Sequence, residues 1–570
     1  MEKNWIIKEL GDRQIIQDLK SSLNVEEIVA QLLIQRGITT FDEARAFFRP
    51  QLEDLHDPFL MKDMDKAVTR LEAAIKYNEK IMIYGDYDVD GTTAVALLYS
   101  FLLKRYSRLV YYIPDRYKEG YGVSFNGIDY ASENEVTLII ALDCGIKAVE
   151  KVNYAREKKI DFIICDHHTP GEIIPSAAAV LNPKRKDCKY PYKELSGCGV
   201  GFKFMQAYCL KNEISLSEVF TYLDLVAVSI GSDIVPITGE NRILAFHGLN
   251  KINNEPLTGI RAILDISGCS DLTLEINDVV FKIGPRINAA GRIESGRRAV
   301  ELLITDDEVL AMEIAHEINN FNEERKELDH SITEEALKTI ESSESLIQSK
   351  STVLFNPEWH KGVIGIVASR LIEHYHRPTI ILTESNGLLT GSARSVHDFD
   401  LYAAIDACSE LLEGFGGHMY AAGLTLKKEN FEAFRKKFEE VVSAKISADQ
   451  LVPQIIADAE ISLGNISRRL YRIINQFQPF GPENMRPVFI SENVRDAGDT
   501  KAVGKNSEHL RLDVMENGPQ SRIQGIAFNK GYELSKVKTG GNFKICYCID
   551  ENVFNNKVSL QIRVKDLKFN

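Results

Sequence analysis

The chain has 570 residues, of which 44% are hydrophobic and 26% charged, and its formal net charge is −14. A single hydrophobic core stops growing at about 250 to 300 residues, so this length predicts two to four domains of ordinary globular composition. The nine cysteines form no C-x-x-C pair, and no apolar run approaches the roughly 18 residues of a membrane span. We therefore expect a cytoplasmic protein in a reducing compartment, without a disulfide scaffold or a membrane anchor.

The first predicted elements are helices. Residues 1–75 repeat apolar side chains at helical spacing and predict a helical preface to the first sheet. Residues 76–304 follow, and within them short apolar runs such as "IMIY", "TLIIALD" and "DFIICD" alternate with helical patterns. This alternation predicts an α/β domain with a doubly wound parallel sheet.

A long helix and a second domain are predicted next. Residues 305–350 are highly charged with a thin apolar stripe, which predicts one long connecting helix between two domains, capped at its start by Thr305 and Glu308. Residues 351–450 again alternate strand-like and helical runs, which predicts a second and smaller α/β domain.

The tail, residues 451–570, changes to a period of two. In its last run Val558 and Ile562 face one way while Arg563 and Lys565 face the other, and several such strands predict a small OB-like β-barrel. Residues 501–570 carry 12 Lys plus Arg against 7 Asp plus Glu, although the whole chain is acidic. A solvated strand face and a nucleic-acid-binding barrel with a basic groove both fit this pattern.

Three aspartates, Asp86, Asp88 and Asp90, follow the first predicted strand in "GDYDVDG". The spacing D-x-D-x-D-G also opens a calcium-binding EF-hand loop, whose twelfth position should be Glu. That position is Leu97, and the preceding apolar run is too short for an entering helix. The sequence therefore favours a different metal site.

Further acidic and imidazole side chains follow apolar runs in the same predicted domain: Asp143 in "ALDCG", Asp166, His167 and His168 in "CDHH", and Asp233 in "GSDIVP". Ligand sites in open α/β sheets lie beyond the carboxyl ends of the strands, so these side chains should converge. Carboxylates with one or two imidazoles suit Mg²⁺ or Mn²⁺ better than zinc. Two such ions, roughly 3.5 to 4 Å apart, are typical of sites that hydrolyse phosphoesters.

These motifs resemble those of the DHH phosphoesterase superfamily, and "GFGGHMYAAG" at residues 414–423 resembles the signature of its associated second domain. The runs "LLIQRGI", "IPDRYKEGYG" and "INAAGR", with the predicted C-terminal barrel, resemble the bacterial RecJ family of single-strand-specific exonucleases. The resemblance covers nearly the whole chain.

The resemblance implies roles for individual residues of the first domain. It implies metal ligation by Asp88, Asp90, Asp143, His167 and Asp233, with Asp143 as the bridge and Asp86 at the edge of the shell. His168 would contact the scissile phosphate, and Asp166 would orient an imidazole. Asn288 and Arg292 would hold the strand near the metals.

The second domain carries a candidate site for a terminal phosphate. Ser392 and Arg394 in "GSARS" offer a hydroxyl and a guanidinium fork, which match a phosphate group. Gly416 and Gly417 would let the backbone approach the substrate, with His418 as a donor. The resemblance to RecJ-like proteins implies that Ser392 and Arg394 form a pocket for the 5′ phosphate. It also implies that Arg116 of the first domain contacts the same phosphate.

The sequence thus predicts a 5′-to-3′ exonuclease that uses two Mn²⁺ or Mg²⁺ ions, hydrolyses single-stranded DNA to nucleoside 5′-monophosphates and acts in DNA repair and recombination. Its expected partners are single-stranded DNA, a single-strand-binding protein and a helicase. A phosphodiesterase for short oligoribonucleotides or cyclic dinucleotides is the nearest alternative. A non-catalytic single-strand-binding replication or repair factor is the alternative from another class.

Overall fold

The computed structural model describes residues 2–554 and 557–569. The chain forms two compact units. The larger unit contains Trp5–Gly284, Val300–Met312 and the described part of Ile455–Asn570, and the smaller contains Pro285–Ala299 and Glu313–Gln454 with the extreme N-terminus. The segment boundaries predicted from the sequence stay predictions. Among the described residues, no helix combines the length and the apolar content that a membrane crossing requires.

The N-terminal segment is mainly helical, as predicted. Its elements are β1 (Asn4–Ile7), α1 (Arg13–Leu23), α2 (Glu27–Ile34), α3 (Phe41–Phe48) and α4 (Met64–Lys76). Thr40 and Glu43 form a capping box at the start of α3, where each side chain accepts a backbone N–H of the other's residue.

The predicted parallel sheet is confirmed. Its strands and the helices between them are β2 (Lys80–Gly85), α5 (Val89–Leu103), β3 (Leu109–Tyr112), α6 (Phe125–Glu133), β4 (Val136–Leu142), α7 (Val149–Glu157), β5 (Asp161–Cys165) and β6 (Ala179–Leu181). All neighbours pair in parallel, in the order β3-β2-β4-β5-β6. Alternate residues of each strand face opposite sides, so Met82 and Tyr84 pack towards α6 and α7.

A helical stretch completes this part of the chain. It comprises α8 (Gly197–Lys211), α9 (Ser217–Phe220), α10 (Leu223–Ser232), α11 (Gly239–Asn254), α12 (Thr258–Ile266), α13 (Ile276–Asp278), a π-helical turn at Val279–Ile283, α14 (Gly284–Ile293) and α15 (Gly296–Ile304). The apolar run before Asp233 is therefore the helix α10. Asp233, which the sequence predicts to converge with the residues that follow strands, is the C-cap residue of this helix.

The long helix is confirmed as α16 (Glu308–Glu341) and is followed by the short α17 (Glu344–Gln348). The predicted cap at Thr305 and Glu308 is wrong. Asp307 caps the helix, because its Oδ1 accepts the backbone N–H groups of Val309 and Leu310, while the Thr305 hydroxyl accepts the N–H of Asp307. Asp and Thr are both good N-cap residues, so the sequence alone placed this helix start too early.

The second α/β segment lies in the smaller unit. It contains β7 (Thr352–Phe355), α18 (Ile364–Tyr375), β8 (Thr379–Ser385), β9 (Leu388–Arg394), α19 (Leu401–Asp406), β10 (Gly414–His418), β11 (Ala421–Leu426) and α20 (Phe431–Lys445). The strand order is β10-β11-β9-β8-β7, antiparallel except between β7 and β8.

The predicted OB-like sheet is present in the tail. The tail contains β12 (Gln454–Ala457), β13 (Ala459–Glu460), α21 (Arg468–Asn475), β14 (Phe489–Asp496), β15 (Lys501–Val503), β16 (His509–Met515), β17 (Ile523–Ala527), α22 (Leu534–Lys538), β18 (Phe543–Phe554) and β19 (Lys557–Phe569). The sheet order is β13-β14-β18-β19-β17-β16-β15. Because Arg495 and Asp496 of β14 also pair with β16, the sheet returns on itself.

The core of the OB-like sheet is shared with the N-terminal helices. Leu19 of α1 and Leu32 of α2 belong to the same buried cluster as Phe477, Phe489 and Ile562. A deletion of residues 451–570 would therefore expose the apolar faces of α1 and α2. Functional tests of this region call for single substitutions on its surface.

Candidate active site

The parallel sheet brings the predicted acidic residues to one edge. Asp86 follows β2, Asp143 follows β4 and Asp166 follows β5, and these strands are neighbours. The Asp143 N–H donates to Cys165 O at 2.9 Å, which extends the pairing of β4 and β5 by one residue. Asp143 has a φ of 59°, a left-handed conformation that is uncommon outside glycine and clusters at functional sites.

His167 is the centre of the cluster. Its Nε2 lies 3.2 Å from Asp143 Oδ1, 3.6 Å from Asp90 Oδ2 and 3.6 Å from Asp233 Oδ2. Residues from four separate parts of the chain therefore point at one small volume. Asp90, His167 and Asp233 form one group whose ligand atoms lie within 4.8 Å of one another, and Asp143, His167 and His168 form a second.

The electrostatics of this cluster call for a cation. Burial raises the pKa of Asp143 well above its usual value, and the carboxylates of Asp90 and Asp88 raise it further. Burial and the same two neighbours also raise the pKa of Asp233. Burial lowers the pKa of His167, which favours the neutral imidazole that binds metals.

Several buried polar atoms here lack a hydrogen-bond partner within the described structure. They are Asp86 Oδ2, Asp143 Oδ1 and both ring nitrogens of His167. Buried polar atoms are normally paired, so orphaned atoms grouped around carboxylates indicate a site for a bound ion. The donor set of carboxylate oxygens and imidazole, with no thiolate, fits Mn²⁺ or Mg²⁺.

Asp90 is fixed by a second layer of donors. Its carboxylate accepts the backbone N–H groups of Gly197 at 2.6 Å and Cys198 at 2.7 Å, and the hydroxyl of Ser229 at 2.6 Å. Gly197 also packs against Asp143, because a Cβ built at position 197 would lie 2.6 Å from Asp143 Cβ. The sequence analysis missed these residues, although the glycine-rich "SGCGVG" at 196–201 was a signal for close packing.

Asp86 and Asp88 lie beside the cluster and are absent from both groups of converging ligand atoms among the described residues. Asp88 caps α5, where its Oδ1 accepts the Gly91 N–H at 3.0 Å. Asp86 Oδ1 accepts the Gly122 N–H at 3.0 Å. Burial raises the pKa of both residues, and a neighbouring carboxylate raises it further: Asp88 for Asp86, and Asp90 for Asp88. Both residues therefore add negative charge to the cluster.

Asp166 fixes the double-histidine turn. Its Oδ1 accepts the N–H groups of His167 at 2.7 Å and His168 at 3.0 Å and lies 2.8 Å from His168 Nδ1, while its Oδ2 accepts the N–H of Ile146. Burial alone would raise the pKa of Asp166, but these hydrogen bonds and the His168 imidazole lower it to about 2. An ionised Asp166 therefore holds His168 in one orientation.

In the smaller unit, the strand register places four of the predicted substrate-binding residues on one face of the sheet. Ser392 is opposite Gly423, which is opposite Gly416, and Arg394 is opposite Ala421, which is opposite His418. Arg394 Nη1 donates to the Ser392 hydroxyl at 3.1 Å. A hydroxyl, a guanidinium and an imidazole thus line one surface, which suits a phosphate.

The two glycines of β10 differ in their surroundings. A Cβ at Gly416 would meet no atom within 4 Å, so its surface is open. A Cβ at Gly417 would lie 2.3 Å from Ala421 O, and its φ is 152°. Only glycine fits at position 417, where β10 pairs closely with β11, and the contact of either glycine with the substrate stays a prediction.

The remaining predicted substrate residues are spread over both units. Arg292 lies in α14, where its Nη1 donates to Gly362 O at 2.9 Å, and Asn288 is half-buried one turn earlier. Arg116 lies in the larger unit with its guanidinium 4.7 Å from the ring centroid of Tyr87. The roles of these three residues in binding a strand stay predictions.

Three family models match the chain. Residues 80–230 match the DHH family N-terminal domain, residues 348–444 match the DHHA1 domain, and residues 457–566 match the RecJ OB domain.

The chain is also similar to known proteins in sequence and in structure. A protein of Bacillus subtilis (strain 168) described as single-stranded-DNA-specific exonuclease RecJ is 35% identical over 557 residues, which cover 97% of this chain and 70% of the relative. The crystal structure of RecJ from Thermus thermophilus with Mn²⁺ matches with a TM-score of 0.86 and 25% identity, covering 100% of this chain and 80% of that one. A structure of the same protein with Mg²⁺ matches with a TM-score of 0.80, 24% identity and coverage of 100% and 78%.

Proposed function

Since this chain belongs to the RecJ family and is a metal-dependent exonuclease for single-stranded DNA, we propose that it digests its substrate from the 5′ end and releases nucleoside 5′-monophosphates. The observation that carries the chemistry is the placement of His167 Nε2 within 3.6 Å of three carboxylates. The cofactor is Mn²⁺ or Mg²⁺. We propose that two ions bind.

Asp90, Asp143, His167 and Asp233 would hold the ions, with Asp143 as the ligand shared by both. Asp88 would be a further ligand, and Asp86 would lie beside them. Bound ions of this kind neutralise the charge that develops on a phosphodiester and make water a stronger nucleophile. Side chains around the ions would orient the phosphate. Asp166 orients His168, and we propose that His168 donates a hydrogen bond to the scissile phosphate.

Polarity would come from the smaller unit. A terminal phosphate carries more charge and more acceptor oxygens than an internal diester. Ser392, Arg394 and His418 lie on one face of their sheet, with the Gly416 surface open beside them. We propose that this surface binds the 5′ phosphate and that Asn288 and Arg292, in the same unit, hold the adjoining nucleotides.

The alternatives are less well supported. The intact cluster of carboxylates and imidazoles argues against a non-catalytic binding factor. The RecJ OB match over residues 457–566 argues against a phosphodiesterase limited to short oligoribonucleotides or cyclic dinucleotides. We further propose a cytoplasmic location, a role in DNA repair and recombination, and cooperation with a single-strand-binding protein and a helicase.

The polarity is tested with two matched oligonucleotides, one labelled at the 5′ end and one at the 3′ end, in Mn²⁺. We expect labelled mononucleotide from the 5′-labelled strand at the first time point, and progressively shortened strands from the 3′-labelled one. Release of labelled mononucleotide first from the 3′ label would contradict the proposed direction. No digestion of either strand would contradict the function itself.

The outer face of the OB-like sheet carries a basic row. The register aligns Lys501, Arg511, Ile526 and Arg563 across four strands, and the three basic side chains are exposed. Phe528, 49% exposed, lies beside this row with the Arg563 guanidinium 5.3 Å from its ring centroid. Cations with an exposed ring match a single strand, whose phosphates and bases both need contacts. We propose that this row binds the strand.

We expect Arg511→Ala combined with Arg563→Ala to weaken binding to long strands and to reduce the slope of log K against log salt by about 1.4, because each phosphate contact with a single strand contributes about 0.7. Fluorescence anisotropy across a salt series measures this slope. The matched control is Lys536→Ala with Lys544→Ala, which removes the same charge from side chains already paired with Glu533 and Glu492. Equal slopes in the two double variants would mean that the basic row faces solvent and does not bind the strand.

A further inference from the structure

The segment from residue 113 to residue 124, between β3 and α6, forms an internally fixed loop beside the metal site. Asp115 Oδ1 accepts the N–H groups of Tyr117 at 2.8 Å and Lys118 at 2.9 Å. Glu119 accepts the N–H of Asp115 at 2.8 Å and the hydroxyl of Tyr112 at 3.0 Å. These bonds hold the loop in one conformation, which we call the tyrosine loop.

Tyr121, in this loop, contacts two residues of the candidate site through its hydroxyl. The hydroxyl oxygen lies 3.0 Å from Asp143 O, and it lies 3.1 Å from Nε2 and 3.4 Å from Nδ1 of His168, which places it over the face of the imidazole. A carbonyl oxygen can only accept, so the single phenolic proton is donated to Asp143 O. The hydroxyl oxygen therefore contacts the face of the His168 ring and leaves Nε2 available to the phosphate.

The same imidazole is held at Nδ1 by Asp166, whose Oδ1 lies 2.8 Å away. His168 is therefore fixed by a carboxylate at one ring nitrogen and by a phenol hydroxyl against its ring face. Asp143 gains as well, because its backbone is in the left-handed conformation and its carbonyl is anchored by Tyr121. The Tyr121 hydroxyl thus contacts both Asp143, the proposed bridging ligand, and His168, the proposed phosphate contact.

The two neighbours of Tyr121 explain how the loop reaches the site. Gly120 has a φ of 83° and Gly122 a φ of 80°, conformations that side chains other than glycine rarely adopt. Gly122 also donates its N–H to Asp86 Oδ1 at 3.0 Å. The tyrosine loop therefore contacts Asp86, Asp143 and His168 through two consecutive residues.

We propose that Tyr121 is a positioning residue whose hydroxyl fixes the imidazole of His168 for contact with the scissile phosphate. The inference rests on the proposed function, in which His168 touches that phosphate. The aromatic ring is not required for this role. Tyr121→Phe removes only the hydroxyl and keeps the ring in place.

We expect Tyr121→Phe to lower kcat on single-stranded DNA by about 10- to 100-fold, the range typical of lost partners of site residues, with KM within about twofold of the wild type. Tyr154→Phe is the matched control, because it also removes one hydroxyl in the same unit, where Tyr154 donates to Asp129 at 2.8 Å. Binding of Mn²⁺, followed by electron paramagnetic resonance, should be unchanged in both variants. A wild-type rate in Tyr121→Phe would overturn the proposal.

A double-mutant cycle with His168→Ala separates positioning from a general loss of structure. If Tyr121 acts through His168, then Tyr121→Phe should have no further effect on the residual single-turnover rate in the His168→Ala background. Full additivity of the two effects would overturn the proposal, as would a loss of Mn²⁺ binding by Tyr121→Phe that accounts for its lower rate. If the wild type fails to digest single strands, the proposed function is wrong; if only these variants behave unexpectedly, the role of Tyr121 is wrong.

Discussion

Asp143→Asn should abolish the hydrolysis of single-stranded DNA while leaving the binding of the strand nearly unchanged. The variant keeps the shape of the side chain but removes its charge, at a position 3.2 Å from His167 Nε2 and 3.9 Å from His168 Nδ1. We expect turnover to fall by at least about 10³-fold, since even one electrostatic contact to a transition state contributes 10²- to 10³-fold. Strand affinity comes mainly from phosphate contacts elsewhere, so it should persist.

Asparagine is preferred to alanine at this position because Asp143 has a φ of 59°, and Asn tolerates left-handed backbone far better than Ala. Asp398→Asn is the matched control, because Asp398 has a φ of 58° and an exposed side chain. Turnover, Mn²⁺ binding and strand binding by anisotropy are measured on both variants. Hydrolysis by Asp143→Asn at the wild-type rate would rule out the proposed metal centre.

Arg394→Ala should remove the preference for strands that carry a 5′ phosphate over strands that end in a 5′ hydroxyl. The wild type should favour the phosphate by about 2 to 3 kcal/mol, the range of a charge-assisted hydrogen bond. That energy corresponds to about a 30- to 150-fold ratio of kcat/KM. Initial rates on paired substrates that differ only in this phosphate, at fixed ionic strength, give the ratio directly.

Arg435→Ala provides the matched control for that experiment. Arg435 lies in α20 of the same unit and pairs with Glu432 on the helix surface. Its substitution removes one positive charge, as Arg394→Ala does, but outside the proposed phosphate surface. The ratio for the two substrates should equal that of the wild type. If Arg394→Ala still distinguishes the two ends as well as the wild type does, Arg394 makes no contact with the terminal phosphate.

Local sequence patterns predicted most elements of the fold because the apolar period differs between buried strands, helices and half-exposed strands. The runs at 81–84, 137–143 and 161–166 all became strands of the parallel sheet. Periodicity could not identify what each apolar face packs against. The helices α1 and α2 were read as a preface to that sheet, but their apolar residues join the core of the OB-like sheet.

The sequence predicted the candidate site about as completely as it predicted the fold. Strand ends in a parallel sheet converge, so the grouping of Asp143 with His167 follows from the topology. The donors that hold Asp90 and Asp143 could not be inferred, because Gly197, Ser229 and Tyr121 lie far from their partners in sequence and use backbone groups or hydroxyls. Such groups occur throughout any chain, and only the fold selects those that reach the site.

The core shared by α1, α2 and the OB-like sheet also bears on how the chain acquires its structure during synthesis. Ile16 and Leu19 leave the ribosome about 540 residues before Ile562 and Leu567, which complete the same core. At about 5 to 20 residues per second, the first helices wait roughly 30 to 110 s for these partners. Throughout that interval the apolar faces of α1 and α2 lack the partners that bury them in the folded chain.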